Sequence, residues 1–154
     1  MSRKQFNLTR ISLLTFIKEL DEETVDAQST YFNNTIRWHI GHVLVTNEKF
    51  FFMYPKKSTN IPAKYADLFG SGTKPADWTE AAPTLDVLIK ELEEQQNRIN
   101  EFNDLFWKSN VSIKVPFGSI ETYSDLLIML SNHEAEHLGK IKAMHQVVTS
   151  NEYE

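Results

Sequence analysis

Five histidines and no cysteine set the chemistry open to this chain. The histidines fall in two groups: His39 and His42 early, then His133, His137 and His145 near the end. Without Cys there is no disulfide, no thiolate metal ligand and no cysteine nucleophile. Imidazole remains, and its neutral ring ligates divalent metals. His133 and His137 are four residues apart. On a helix that spacing puts both rings on one face, with Cβ atoms about 5–6 Å apart and within reach of one ion. They share a stripe with Leu126, Leu130, Ile141, Met144 and Val148, so both rings are expected to point into the core. The competing reading is a pair of core histidines held by hydrogen bonds. Each neutral ring would then need both a donor and an acceptor partner in an apolar interior, whereas one metal ion satisfies a nitrogen of each ring at once.

His133-Glu134-Ala135-Glu136-His137 also fits H-E-x-x-H, in which Glu134 would act as general base beside the metal. The zincin third ligand lies downstream of that motif, and only His145 and a short polar tail follow here. His145, eight residues after His137, sits about 80° from the ligand face of a continuous helix. A third ligand is therefore sought upstream. His42 follows Gly41, whose missing side chain admits a close neighbour. A triad of His42, His133 and His137 would leave coordination positions open for water or substrate. His39 is expected to lie behind the ligands or at the surface, and His145 to stand apart.

Four helices must position these groups. In the first, Phe6, Leu13, Ile17 and Leu20 form one stripe, and the acidic run Asp21-Glu22-Glu23 closes it. The second runs from about Thr35 to Tyr54, with Asn33-Asn34 as candidate N-caps and Pro55 as a stop. It is apolar around much of its circumference, which predicts packing on several sides. The third carries Leu85, Leu88, Leu92, Ile99, Phe102 and Phe106 on one face, with Pro83 and Thr84 at its start. The fourth opens at Thr122, whose spacing to Asp125 resembles a capping box. The connector from Pro55 to Pro83 concentrates helix breakers, but Tyr65, Phe69 and Trp78 mark it as a packed crossover. Val111 to Val115 alternates apolar and polar residues, a short extended piece ahead of Pro116-Phe117-Gly118. These elements predict an all-α fold, a four-helix bundle with one long crossover between helices two and three.

The 154 residues predict a single domain spanning 1–154. A net charge of -5 speaks against a nucleic-acid partner, since phosphate neutralisation needs clustered cations. No apolar run approaches the roughly 18 residues of a membrane span, and the start does not read as a signal peptide. The expectation is a cytoplasmic protein with a small-molecule substrate and no membrane partner.

The sequence resembles the DinB/YfiT-like family of metal-binding four-helix bundles. Asn34-Thr35-Ile36-Arg37-Trp38-His39-Ile40-Gly41-His42-Val43 is similar to the family's Trp-x-x-Gly-His-Leu segment. His133-Glu134-Ala135-Glu136-His137-Leu138-Gly139-Lys140-Ile141 is similar to its His-x-x-x-His-x-Gly-Gln-Ile segment, and Pro116-Phe117-Gly118 fits between them. The resemblance implies an up-down-down-up bundle, commonly a homodimer. It implies a divalent metal (zinc, nickel or iron) on three histidines, which by position are His42, His133 and His137. Related proteins include S-transferases that use bacillithiol, mycothiol or glutathione, and others described as metal-dependent hydrolases. Lys140 stands where the family usually has Gln. A cation about one turn from the metal would repel it or bind an anionic low-molecular-weight thiol. Three functions follow as expectations: a bacillithiol-type S-transferase acting on small electrophiles, a hydrolase with Glu134 or Glu136 as base, and a non-catalytic metal-stabilised stress-response or binding module.

Overall fold

A computed structural model describes residues 2–116 and 118–150, and the chain is mostly helical. Helix α1 (Ser2–Ile17) buries Phe6, Leu13 and Ile17 as the periodicity predicts, and on the same stripe it also buries Arg10. The acidic run does more than close α1. Asp21 accepts from the Thr24 backbone N–H at 2.7 Å and so starts the short α2 (Glu22–Val25). Helix α3 (Ile36–Phe52) is capped by Thr35, whose hydroxyl accepts from the Trp38 N–H, and not by Asn33 or Asn34. It ends at Met53, which takes a left-handed conformation (φ 57°) two residues before Pro55.

The connector carries α4 (Tyr65–Phe69) and one turn of 3-10 helix at Pro75–Asp77. Tyr65 and Phe69 are buried and Trp78 packs edge-on against Phe69, so the crossover belongs to the core. Helix α5 (Leu85–Asn100), capped by Thr84, is shorter than its apolar rhythm predicts. Asn103 caps a separate α6 (Asp104–Lys108), and the turn between them folds Phe102 face to face on Phe106 at 3.7 Å. The expected extended piece is strand β1 (Asn110–Val115), paired antiparallel with β2 (Gly118–Thr122) so that Ile113 faces Ile120. Phe117, in the middle of Pro116-Phe117-Gly118, lies outside the described residues. The capping box forms at the start of α7 (Tyr123–Ser150): the Asp125 N–H donates to Thr122 Oγ1, and the Thr122 N–H donates to Asp125 Oδ2.

The four long helices pack in a ring of contacts, α1 on α7 and α5, and α3 on α5 and α7. Their apolar residues form two clusters. One gathers Leu13, Leu44, Leu88 and Ile141 with the connector's Tyr65, Leu68 and Phe69; the other gathers Phe6, Phe51, Ile99, Trp107 and Leu130. A buried polar layer lies at the junction on every helix: Arg10 on α1, Asn47 and Glu48 on α3, Gln95 on α5 and Glu134 on α7. Arg10 donates to both Glu134 oxygens (2.8 and 2.9 Å), to the Leu92 carbonyl and to Gln95 Oε1. Gln95 donates in turn to Glu48, which also receives Arg98, Ser58 and Asn60. Every charge in the layer has a partner of opposite charge, as burial requires. Among the described residues no helix is long and apolar enough to cross a membrane.

Candidate metal centre

Helix α3 contributes His42 and helix α7 contributes His133 and His137. One ring nitrogen from each lies within 4.8 Å of the others. The sequence-predicted triad therefore meets in space. His133 Nε2 and His137 Nε2 stand 3.1 Å apart. Metal–nitrogen bonds of about 2.0–2.1 Å, meeting at angles between right and tetrahedral, put two donors about 2.8–3.4 Å apart, so this pair has the bite of a chelate.

Two of the three rings are held from outside, each by a different device. His42 Nδ1–H donates to the Phe69 carbonyl at 2.8 Å, which fixes the tautomer and leaves the Nε2 lone pair facing inward. Trp38, one turn earlier, stacks on the same ring at 4.6 Å and 10°, and its own Nε1–H is held by Thr73 Oγ1. Gly41 makes the Phe69 contact feasible. A Cβ there would stand 2.3 Å from the Phe69 ring, so only glycine lets α4 come this close. His137 Nδ1 lies 2.8 Å from His39 Nδ1. With His137 Nε2 free of a proton, His137 Nδ1–H donates to His39, which places the buried His39 behind a ligand. His145 stands apart, edge-on to Phe16.

All four central imidazoles are held below the ordinary histidine range. Burial pushes His137 down to about 3, helped by the neighbouring imidazoles and Lys140. Burial and the charge of Lys140 push His39 to about 4, and burial also lowers His42 and His133. Neutral imidazole is the ligating form, so the donor set, its lone pairs and its protonation fit a divalent ion.

Three expectations are corrected. The deepest line of α7 runs through Leu127, Ser131, Glu134 and Ile141, while His133 and His137 are half-buried at its edge, and His133 lines a cavity. The burial that the stripe assigned to the histidines is taken by Glu134, because Arg10 from α1 supplies its countercharge. Glu134 is accordingly not placed as a general base. Both its oxygens are occupied by Arg10 and by Asn47 Nδ2 (3.1 Å) inside the core. Lys140 is exposed and outside the lining of the cavity, though its charge reaches His39 and His137.

The cavity over the histidines has a volume of about 1040 Å³ and is lined by His42 and His133, by Val45, Phe50 and Leu130, and by Lys49, Lys56 and Glu136. Sequence reasoning passed over its walls, yet the signal was present. His42, Thr46, Lys49 and Met53 recur at steps of four, three and four along α3, and Met129, His133 and Glu136 do the same along α7.

A family model of the DinB superfamily matches residues 5–141, which include His42, His133, His137 and the long helices from Gln5 of the first to Ile141 of the fourth. The chain belongs to the DinB superfamily. The match spans every element that builds this DinB site: α3 with Trp38 and Gly41, the connector's Phe69, and the His133–His137 turn of α7. No curated protein matches the chain.

Proposed function

We propose that this DinB-superfamily protein is a divalent-metal-dependent S-transferase that joins a small-molecule thiol to a small electrophile. The up-down-down-up course of its bundle belongs to the same reading. The observation that carries it is the convergence of three neutral imidazoles, the tautomers of His42 and His137 set from outside, beside a cavity large enough for a small molecule and lined by His42 and His133. His42, His133 and His137 would hold the ion, which lowers the pKa of a ligating thiol so that thiolate is available at neutral pH. Phe69 and His39 orient two of the three rings. Trp38 covers the back of His42 and keeps water from that side. With no Cys in the chain, the attacking sulfur has to arrive with a small molecule.

The commitment of Glu134 to the core narrows the hydrolytic reading. Hydrolysis needs a base beside the attacking water. Glu134 is committed to Arg10, which leaves Glu136, an exposed carboxylate on the cavity wall one turn from His133, to carry a hydrolytic reading.

The test combines elemental analysis with turnover. The parent is expected to purify with close to one divalent ion per chain, and His42→Ala, His133→Ala and His137→Ala each to lose it. Loaded protein should consume thiol with a model electrophile faster than the same metal in buffer. Undiminished metal in all three variants removes the site. Metal without thiol turnover, but with ester or amide cleavage that Glu136→Gln abolishes, replaces the transferase by the hydrolase. Metal that raises the melting temperature, with no turnover of either kind, leaves the non-catalytic module.

A further inference from the structure

The cavity is polarised along α3. At one end stand the imidazoles, with Glu136, the only carboxylate in the lining among the described residues, three residues beyond His133 on α7. At the other end stand Lys49 and Lys56, at and just past the end of α3. Lys49 is seven residues beyond His42, so the two backbones are separated by about 10 Å along the helix axis. The Lys49 ammonium lies 5.7 Å over the Phe50 ring, held against the cavity wall. Neither lysine forms an ion pair among the described residues. Between the two ends the wall is mostly apolar, with Val45, Phe50, Met129 and Leu130 around the hydroxyl of Thr46. Met53 adds an exposed thioether side chain to this wall from a left-handed backbone, a conformation that costs a non-glycine residue free energy.

We infer that the cavity binds an amphipathic small anion: an apolar body along Val45, Phe50 and Met129, an anionic group between Lys49 and Lys56, and the opposite end directed at the histidines. Two unpaired ammonium groups beside an apolar wall recognise a carboxylate or phosphate on an otherwise uncharged chain, and the distance to His42 sets the length of that chain. The assignment takes from the proposed function only which end of the ligand reacts. The anion subsite is made of residues that ligate no metal.

Isothermal titration of cobalt(II)-loaded protein with an ω-mercaptoalkanoate series and the length-matched ω-mercaptoalkanols tests it. The carboxylates should bind at least about tenfold tighter than the alcohols. The double substitution of Lys49→Gln and Lys56→Gln should erase that difference and leave alcohol binding unchanged. Both lysines are exposed, so folding is not at stake. Equal affinity of the two series, no binding of either, or a carboxylate advantage that survives both substitutions overturns the inference. The last of these would place the carboxylate on the metal. The sulfur-to-cobalt absorption band reports separately on the metal site. If the band is missing but the lysine-dependent preference remains, the metal reading fails and the anion subsite stands. If the band forms but the preference is absent, the metal site stands and the anion subsite fails.

Discussion

Glu134→Gln separates a structural carboxylate from a catalytic one. In the parent, Glu134 Oε2 accepts from Arg10 Nε at 2.8 Å, and Oε1 accepts from Arg10 Nη2 at 2.9 Å and from Asn47 Nδ2 at 3.1 Å. An amide replaces one of those oxygens by a donor, so in either orientation an N–H faces an N–H. The Arg10 guanidinium, fully buried, then keeps one amide oxygen, the Leu92 carbonyl and the Gln95 side chain as acceptors, but one of its N–H groups faces another N–H and it has no counter-ion. Removing one partner of a buried ion pair costs about 3–5 kcal/mol, a large share of the roughly 5–15 kcal/mol that holds a domain folded. At about 2–4 °C per kcal/mol for a chain of this size, the melting temperature of metal-free protein should fall by about 6–20 °C. No catalytic atom is touched, so the variant, assayed below its melting point, should bind metal and turn over like the parent. Replacing both charges, with Arg10→Met and Glu134→Leu together, should recover most of the loss. Thermal and urea unfolding supply the readout. A variant as stable as the parent to within about 1 kcal/mol, but catalytically dead, would refute the structural assignment and restore Glu134 as a base.

Gly41→Ala forces a methyl to within 2.3 Å of the fully buried Phe69 ring, so α4 has to move by more than an ångström. Overpacking of this kind costs about 1–3 kcal/mol or more, and metal affinity should fall with it as the Phe69 carbonyl leaves His42; unchanged melting and unchanged metal titration would count against the contact. His39→Phe removes the partner of His137 Nδ1 and should weaken metal binding about 10–100-fold in chelator competition, with the metal-free fold retained. Metal-free protein should lose stability in acid. His137 and His39 are held at about 3 and about 4, so as pH falls below the unfolded value near 6.5 the unfolded chain takes up protons that the folded one refuses. Each such proton gives a slope of at most about 1.4 kcal/mol per pH unit, reduced by the partial exposure of the site, and His137→Asn should flatten the urea-derived profile by nearly one proton over this window.

The metal-candidate histidines were legible because ligation imposes a spacing. Two imidazoles four apart on a helix have to share a face, and a glycine beside a third histidine advertises a close approach. The helices were legible for the same reason, with Thr84 and the Thr122–Asp125 box marking two starts. Long-range pairing was hidden. Arg10 sits on the stripe of Phe6, Leu13 and Ile17, a misplaced charge by periodicity alone, and its partner is 124 residues away. Reading α7 without that partner assigned the deepest positions to the histidines and made Glu134 look free. The end of α5 was misplaced because Phe102 and Phe106 keep the helical spacing, while Asn103 caps a new turn that stacks them on each other.

The carbonyl that turns His42 belongs to the connector. The same few residues also receive the Trp78 indole, at Leu68, and the Trp38 indole, at Thr73. The docking of residues 65–78 and the poise of one imidazole nitrogen are therefore a single thermodynamic event written at two places. Whatever free energy the nitrogen gains from a ligand is shared with the connector, and whatever loosens the connector is subtracted from the nitrogen. Insertions at the exposed Lys56-Lys57 stretch leave this coupling untouched, while a one-residue slip between Leu68 and Thr73 changes it without altering any histidine.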